Sequence, residues 1–437
     1  MGRNRSYAPL NVFLNARLLG QLRREKSGAV RFQYDKNWIE WEHAVPVSIS
    51  LPLREDQFSG SQVMAVFENL LPDYDPIRRR VAERVGAQGT DAFSLLSEIG
   101  RDCIGALQFL AEDEVPQASD ELTGEVLSDK NIETLLGDLD LTPLGLRGEN
   151  SFRISIAGAQ EKTALLRHNS KWVQPSGTTP TSHIIKPQIG KMHSGIDLSD
   201  SVENEYFCLK LLRNFGLKTA NTDIATFGQV KALVVERFDR RWTNDGRLIR
   251  LPQEDCCQAL SVAPTGKYQS EGGPGIIDIM NVLRGSDTPL EDRLDFFKAN
   301  ILFWLIGATD GHAKNFSLAL SSRGRFRMTP LYDVLTLQDS VDKKRLPHKD
   351  FKLAMRVGKS NQYNVAKIQG RHFLDTGIQA GLSRKVITDL FDTITEQAPV
   401  AIASTIDELD NQLSVNIPAY LVDSINNAMK QRLSRLH

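Results

Sequence analysis

A polar segment with the residue types of a catalytic loop directly follows the apolar run Ile301 to Ile306. Asp310 and Asn315 stand at the spacing D-x-x-x-x-N, which is found in the catalytic loops of phosphoryl-transfer enzymes. In such loops the carboxylate accepts the proton of the attacking hydroxyl, and the amide oxygen holds Mg²⁺ on the nucleotide phosphates. Lys314 adds a positive charge for the charge that develops on the phosphate. Taken alone, the pattern is equally consistent with a turn at Asp310-Gly311 after a buried helix.

Composition limits the class of protein. The chain has 437 residues, of which 41% are hydrophobic and 24% charged, with a net charge of −1, so we expect two or three globular domains and no overall electrostatic affinity for nucleic acid. The four cysteines form no CxxC pair, which argues against a zinc site or a disulfide framework. No apolar run approaches a membrane span or a signal peptide, so the sequence predicts a cytoplasmic protein without a membrane contact.

Two earlier segments contain residue types that could bind a nucleotide. Small residues Ala157-Gly158-Ala159 lie between two strand-like segments, where backbone N–H groups could approach phosphate oxygens, although an ordinary hairpin turn has the same composition. Lys186 ends a β-branched run, and a strand-end lysine can hold the α- and β-phosphates of a nucleotide, although such a lysine is often merely exposed. The following helix, from Ser201 to Leu212, offers Glu203 or Glu205 as a partner for Lys186.

Two further candidates complete the pattern. The strand from Ala232 to Glu236 runs on to Phe238 and could present backbone groups of Glu236 and Phe238 to an adenine edge, or it could simply leave the core beside a charged cluster. Asp333 stands at the exit of a hairpin predicted after the Asp310 loop, where it could be a second Mg²⁺ ligand or the first residue of a turn. The order of these features matches the assembly of a protein-kinase fold.

The sequence therefore predicts an α+β chain with an atypical protein-kinase-like fold, since no Arg precedes Asp310 and no Asp-Phe-Gly is present. We expect a small α/β subdomain over residues 1–145, a β-rich N-terminal lobe over 146–250 and an all-helical C-terminal lobe over 251–437. Strands are predicted at the Asn11–Gly20 hairpin and at Val47–Leu51. Residues 112–150 are interpreted as an acidic linker with one short helix.

Six segments of the chain together form a specific pattern. They are Phe67-Glu-Asn-Leu-Leu-Pro-Asp73, Leu96-Ser-Glu-Ile-Gly-Arg-Asp102, Phe152-Arg-Ile-Ser-Ile-Ala-Gly-Ala-Gln-Glu-Lys162, Val235-Glu-Arg-Phe-Asp-Arg-Arg-Trp242, Leu251-Pro-Gln-Glu-Asp255 and Gly307-Ala-Thr-Asp-Gly-His-Ala-Lys-Asn315. In these segments the sequence resembles the HipA family of serine/threonine-protein kinase toxins from bacterial HipBA toxin–antitoxin modules. The resemblance covers about residues 67–315 and is weaker over the last ~70 residues.

The resemblance implies a role for each candidate. Asp310 is expected to be the catalytic base, Asn315 and Asp333 to hold Mg²⁺, and Ser155 to be the autophosphorylated serine whose phosphorylation ejects the phosphate loop and silences the kinase. The residues expected to bind ATP are Ala157, Gly158, Ala159, Gln160, Glu161 and Lys162 of the phosphate loop, Lys186, the hinge residues Glu236 and Phe238, and His312 and Lys314 of the catalytic loop.

The resemblance also implies partners: a HipB-like DNA-binding antitoxin dimer, operator DNA reached through that complex, and glutamyl-tRNA synthetase as the substrate whose inactivation causes growth arrest and drug-tolerant persistence. The DNA contact depends on the resemblance alone, because the sequence shows no basic cluster.

Two alternative functions stay open. A small-molecule or lipid kinase would turn over a metabolite without a protein acceptor, and a catalytically silent co-repressor would act without ATP.

Overall fold

The computed structural model describes residues 8–117, 122–146, 152–192, 195–410 and 416–437. Their elements fall into three groups, an N-terminal sheet with helices, a second antiparallel sheet with one long helix, and a mainly helical part. This arrangement agrees with the predicted kinase-like α+β class. No helix among the described residues is long and apolar enough to cross a membrane.

An antiparallel five-stranded sheet, in the order β4-β3-β2-β1-β6, forms the first group. The predicted hairpin at Asn11–Gly20 is confirmed, with its turn at Asn15 and Ala16 in the left-handed region at φ 46° and 65°. The predicted strand at Val47–Leu51 is wrong, because only a single bridge joins Ser48 to Leu51. The elements are β1 Leu10–Leu14, β2 Arg17–Arg24, β3 Val30–Tyr34, α1 Lys36–Ile39, β4 Phe58–Ser59, α2 Ser61–Glu68, α3 Asp75–Val85, α4 Ala92–Ile99, β5 Asp102–Cys103 and β6 Leu107–Ala111.

The second group is an antiparallel six-stranded sheet in the order β14-β15-β11-β9-β10-β7, with helix α6 packed beside β14 and β15. Every residue of α6 from Ser201 to Leu209 is buried, so this helix fixes one wall of the sheet. Its elements are β7 Gly124–Leu127, α5 Asp129–Gly137, β8 Ile154–Ser155, β9 Thr163–His168, β10 Lys171–Pro175, β11 His183–Pro187, β12 Gly190–Lys191, β13 Asp197–Leu198, α6 Ser201–Asn214, β14 Thr222–Phe227 and β15 Val230–Glu236.

The segment interpreted as a linker contributes to this sheet. Strand β7 pairs with β10, and helix α5 places Ile132, Leu135 and Leu136 in a small core under β9, β11 and β15. The prediction of a linker with one helix is therefore wrong for the strand, and the predicted boundary at residues 145 and 146 falls after the first strand of the sheet. The strand was missed because its own residues are exposed and gain their structure from pairing.

The third group is mainly helical and, contrary to an all-helical lobe, also contains the three-stranded sheet β18-β19-β20 and the hairpin β21-β22. The second and third strands of that sheet form the hairpin that was predicted after the Asp310 loop. The elements that follow β15 are β16 Arg240–Trp242, β17 Leu248–Arg250, β18 Gln253–Asp255, α7 Cys256–Ala259, α8 Ile276–Val282, α9 Pro289–Ile306, β19 Ser317–Leu320, β20 Phe326–Met328, α10 Gln338–Asp342, β21 Lys352–Val357, β22 Gln362–Asn364, α11 Gly370–Gln379, α12 Arg384–Asp410 and α13 Ala419–Leu433.

Helix α9 forms the centre of this group. All its side chains from Ala299 to Ile306 are buried, and Trp304 donates its indole N–H to the carbonyl of Val365 at 3.1 Å. Gly307 ends the helix in the left-handed region at φ 74°, a conformation that glycine adopts without a Cβ clash. The chain therefore leaves a fixed helix at a fixed angle and enters the Asp310 loop.

A buried charge cluster joins the first group to the other two. Asp102 of β5 accepts hydrogen bonds from Arg240 at 2.8 Å, from Arg250 at 2.9 Å and from the Thr181 hydroxyl at 2.7 Å. Burial alone would raise the pKa of Asp102, but Arg240, Arg250 and Arg237 hold it well below its usual range. The carboxylate is therefore ionised in the folded protein at physiological pH.

We predict that Asp102→Ala lowers the free energy of unfolding by about 3–5 kcal/mol, because it leaves buried guanidinium groups without their counter-charge. Denaturant unfolding measures the change. Asp245→Ala removes an aspartate that pairs with Arg247 at the surface, and it should leave the unfolding midpoint nearly unchanged. Equal effects of the two substitutions would contradict the prediction.

Glu254 of β18 forms a second link, to the loop before α2. Its Oε1 accepts the N–H of Ile49 at 2.8 Å, and burial raises its pKa to about 8. The folded state therefore retains a proton that the unfolded chain releases near pH 4.3. The stability that this proton affinity gives to the folded state is fully present below that pH. It is lost as the pH rises through the folded-state pKa of Glu254.

We therefore predict that the free energy of unfolding of Glu254→Gln, relative to wild type, rises by about 1.4 kcal/mol per pH unit between pH 5 and 7. In this range the wild-type glutamate ionises only in the unfolded chain and so favours unfolding, whereas glutamine does not ionise in either state. Denaturant unfolding of both proteins across this range measures the difference. A difference that does not change with pH would contradict the prediction.

Candidate active site

A cavity of about 810 Å³ lies between the six-stranded sheet, the loop at residues 157–162 and the catalytic loop. It brings together nearly all residues that the sequence analysis selected. Lining residues include Ala157, Gly158, Ala159, Gln160, Glu161, Lys162, Lys186, Glu205, Glu236, Phe238, Asp310, His312, Lys314, Asn315 and Asp333.

Lys186 is the central cation of the cavity. It lies on β11, which is paired with β9 on one side and β15 on the other, so its backbone is fixed. Its ammonium contacts both oxygens of Glu205, at 2.9 and 3.0 Å, and Oδ1 of Asp333 at 2.8 Å. Burial would lower the pKa of Lys186, but the two carboxylates, Asp333 first, raise it above its usual range.

The structure also separates the two candidate helix glutamates. Glu203 accepts a hydrogen bond from Gln188 at 2.6 Å and forms an ion pair with Lys231. Both contacts lie outside the Lys186 group, so Glu205 is the partner of Lys186. Sequence spacing could not distinguish them, because both side chains are buried on the same helix.

The segment between β8 and β9 wraps around a lysine. Lys162 donates its ammonium to the carbonyl of Ala157 at 2.9 Å, and Gly158 lies directly over it at φ 108°, where a Cβ would come within 2.5 Å of the Lys162 nitrogen. Burial lowers the pKa of Lys162. Gln160 donates to the carbonyl of Pro187 at 3.1 Å, and Glu161 pairs with Arg80.

The N-terminal group holds this loop in place. The N–H of Asp73 donates to the carbonyl of Gly158 at 3.1 Å. Ser155, three residues earlier, is completely buried on β8, and its hydroxyl donates to the carbonyl of Leu70 at 2.8 Å. The predicted phosphorylation site is therefore inaccessible in this conformation.

The catalytic loop presents an exposed carboxylate beside a fixed amide. The Asp310 side chain is 59% exposed and accepts a hydrogen bond from the Tyr268 hydroxyl at 2.6 Å. Asn315 donates its amide N–H groups to the carbonyls of Asp310 at 2.8 Å and of Asp333 at 3.4 Å. No hydrogen bond from the described residues reaches the amide oxygen of Asn315, so this oxygen is available to a ligand.

Asp333 completes the acidic side of the cavity. It adopts a left-handed φ of 59°, and its carboxylate lies against Lys186. Burial alone would raise the pKa of Asp333, but Lys186 and Lys162 hold it well below its usual range. An ionised carboxylate next to an amide oxygen provides the oxygen ligands that Mg²⁺ prefers.

The predicted phosphate contact of Lys314 is not supported by its geometry. Its ammonium lies beneath the loop and donates to Asp255 at 2.8 Å, to the side-chain oxygen of Asn69 at 2.8 Å and to the Asn69 carbonyl at 3.0 Å. These acceptors use its three donors, so Lys314 anchors the loop to the N-terminal group. His312 is also buried, which lowers its pKa, and its Nε2 lies 4.0 Å from Oδ2 of Asp310.

The two hinge candidates, Glu236 and Phe238, also line the cavity. The exposed carboxylate of Glu236 accepts a hydrogen bond from Asn221 at 3.0 Å. The ring of Phe238 packs against Tyr332 at 5.8 Å, and the N–H of Arg237 donates to the carbonyl of Ser182 at 2.9 Å. The chain that follows β15 is therefore fixed where it lines the cavity.

Sequence reasoning missed two residues of the site. Asp73 follows a helix of the N-terminal group, yet it pairs with Lys267 at 3.0 Å and lies 3.6 Å from Lys314. Tyr268 lies in an irregular segment between α7 and α8 and contacts Asp310. Neither has a spacing signal, because each reaches the site only through tertiary packing.

Comparisons with known proteins decide the family. The family model described as "HipA-like C-terminal domain" matches residues 154–402, and the model described as "HipA N-terminal domain" matches residues 10–110. The chain belongs to the HipA-like family. A Sinorhizobium fredii protein named "Putative kinase Y4mE" is 34% identical over 98% of both chains. The family resemblance and the kinase class predicted from the sequence are thereby confirmed.

A further relative and a solved structure, both of Shewanella oneidensis HipA, agree with this assignment. The "Serine/threonine-protein kinase toxin HipA" of Shewanella oneidensis is 26% identical and covers 91% of this chain and 89% of its own length. The solved Shewanella oneidensis structure of HipA with HipB and operator DNA matches with a TM-score of 0.79 at 24% identity, and the match covers 98% of this chain and 96% of that chain. This structural likeness confirms the predicted fold.

We predict that Glu205→Gln weakens nucleotide binding by about tenfold or more, because Lys186 loses the carboxylate that holds its ammonium in the cavity. Glu203→Gln is the matched control, since it neutralises the neighbouring glutamate without touching Lys186, and its affinity should stay within about twofold of wild type. Titration calorimetry with ATP and Mg²⁺ measures both. Equal losses in the two variants would contradict the assignment of Glu205.

Proposed function

We propose that this chain is a toxin-type protein serine/threonine kinase that transfers the γ-phosphate of ATP to a protein hydroxyl. The observation that carries the proposal is the contact of Lys186 with both Glu205 and Asp333, in the cavity that also contains Asp310 and Asn315. A cation held by one carboxylate and placed beside a second is the arrangement that kinases use to position nucleotide phosphates.

In this proposal, different residues of the cavity bind different parts of the nucleotide. Lys186 and the backbone of the 157–162 loop would hold the phosphates, and the chain at Glu236 and Phe238 would face the adenine. Asn315 and Asp333 fit Mg²⁺, because one offers an amide oxygen and the other an ionised carboxylate. When bound, the ion would neutralise charge on the β- and γ-phosphates.

The proposed reaction needs one proton acceptor from the chain. The oxygen of the acceptor hydroxyl forms a bond to the γ-phosphorus, the bond from that phosphorus to the bridging oxygen breaks, and ADP leaves with the electron pair. Asp310 takes the hydroxyl proton, since its carboxylate is the exposed proton acceptor of the loop. This exposure favours a protein acceptor over a small molecule that the cavity would enclose.

The same reaction explains a role for Ser155 as an autophosphorylation site. Its hydroxyl is buried against the Leu70 carbonyl, and a phosphate dianion has no room there. Phosphorylation therefore requires the 157–162 loop to leave, and the modified serine would keep the loop out. The kinase would silence itself in this way.

For partners and substrate we rely on family relatives. The solved Shewanella oneidensis HipA is in a complex with HipB and operator DNA, which supports a HipB-like antitoxin and operator binding for this chain as well. We propose glutamyl-tRNA synthetase in the cytoplasm as the substrate, with growth arrest and persistence as the result. The intact set of Lys186, Asp310, Asn315 and Asp333 opposes a catalytically silent co-repressor.

We predict that wild-type protein incubated with ATP and Mg²⁺ gains the mass of one phosphate on Ser155, whereas Asp310→Ala gains none, because the base is absent. Intact mass and peptide mapping measure the modification. Asp245→Ala, which removes an exposed aspartate that does not line the cavity, should behave as wild type. Equal phosphorylation of wild type and Asp310→Ala would contradict the proposal, and a phosphate on another residue would contradict the role of Ser155.

A further inference from the structure

Among the described residues, one side chain donates a hydrogen bond to the carboxylate of Asp310. This carboxylate is 59% exposed, and the hydroxyl of Tyr268 donates to its Oδ1 at 2.6 Å. No other hydrogen bond from the described residues reaches this carboxylate, and Asn315 holds only the backbone carbonyl of Asp310. An exposed aspartate with one restraint would sample several rotamers if that restraint were lost.

Tyr268 is itself fixed from three sides. Its neighbour Lys267 forms an ion pair with Asp73 at 3.0 Å, and its neighbour Gln269 accepts the N–H of Arg356 at 2.8 Å. Its ring packs edge to face on His312, with the ring centroids 5.0 Å apart. The phenol therefore reaches Asp310 from a rigid support.

The hydrogen bond has the geometry of a strong, charge-assisted contact, since 2.6 Å is within the range for an O–H group donating to a carboxylate. Burial and the Asp310 carboxylate raise the pKa of Tyr268 above its usual range, so the phenol stays protonated and acts only as a donor. Oδ1 of Asp310 thus accepts the Tyr268 hydrogen bond, whereas Oδ2 accepts none from the described residues and has Nε2 of His312 4.0 Å away, beyond hydrogen-bond distance.

We propose that Tyr268 is the positioning residue for the base of this kinase: it holds Oδ1 of Asp310 so that Oδ2 faces the hydroxyl of the acceptor. The proposal rests on the proposed function, because it assigns Asp310 the role of base. It predicts that the Tyr268 hydroxyl matters for the rate of transfer and not for nucleotide binding, since Tyr268 is no part of the Lys186 group.

Tyr268→Phe tests this most directly, because it retains the ring on His312 and removes only the donor. We expect the phosphorylation rate at saturating ATP to fall by about tenfold or more, with the half-saturating ATP concentration within about twofold of wild type. Tyr420→Phe is the matched control, since the Tyr420 hydroxyl donates to the carboxylate of Asp200 at 3.0 Å. It should have the wild-type rate.

A rate for Tyr268→Phe within about twofold of wild type would overturn the proposal. A faster rate would overturn it too, because Tyr268 would then block the acceptor instead of aligning the base. A shift in half-saturating ATP with an unchanged maximal rate would assign Tyr268 to binding and would equally contradict it.

A second measurement is independent of activity. Crystal structures of wild type and Tyr268→Phe should show the Asp310 carboxylate in one orientation in the wild type, and in a different or divided orientation in the variant. An unchanged, singly occupied orientation in the variant would overturn the positioning role even if wild type transferred no phosphate. Absence of phosphate transfer by the wild-type protein would instead contradict the proposed function.

Discussion

The contact of one buried ammonium with two carboxylates organises this molecule. Lys186 comes from the middle of a sheet, Glu205 from the helix packed on that sheet, and Asp333 from the mainly helical part. The buried ammonium of Lys186 and the buried carboxylate of Glu205 need each other, since an unpaired buried charge costs several kcal/mol, and the partly exposed Asp333 adds a second carboxylate to the ammonium. The interaction thus ties the six-stranded sheet and its helix to the mainly helical part at the cavity.

The N-terminal group contributes more to the site than a scaffold would. Leu70 accepts the hydroxyl of Ser155, Asp73 bonds to Gly158, and Asn69 receives the ammonium of Lys314. One short segment after helix α2 therefore supports the phosphate loop, the serine before it and the base of the catalytic loop. Release of the 157–162 loop would break the contact of Asp73 with Gly158 and strain that of Leu70 with Ser155, so the loop position and the docking of the N-terminal group are coupled.

Local patterns in the sequence predicted what local physics determines. The helix at Ser201–Asn214 and the strand that ends near Lys186 follow from apolar periodicity, and the D-x-x-x-x-N spacing located Asp310 and Asn315. Ion pairs between residues that are far apart in the chain have no such local pattern in the sequence. Lys314 was predicted to face phosphate, but its partners Asp255 and Asn69 lie 59 and 245 positions away in the chain. Tyr268 has no periodic pattern, and its role follows only from its packing.

A crystal structure with a non-hydrolysable ATP analogue and Mg²⁺ would test the central claim most directly. We predict that Lys186 keeps its contact with Glu205 while its contact with Asp333 gives way to the nucleotide phosphates, and that Asn315 and Asp333 bind the metal ion. An analogue bound outside the cavity, or a metal ion held without Asn315 and Asp333, would contradict it.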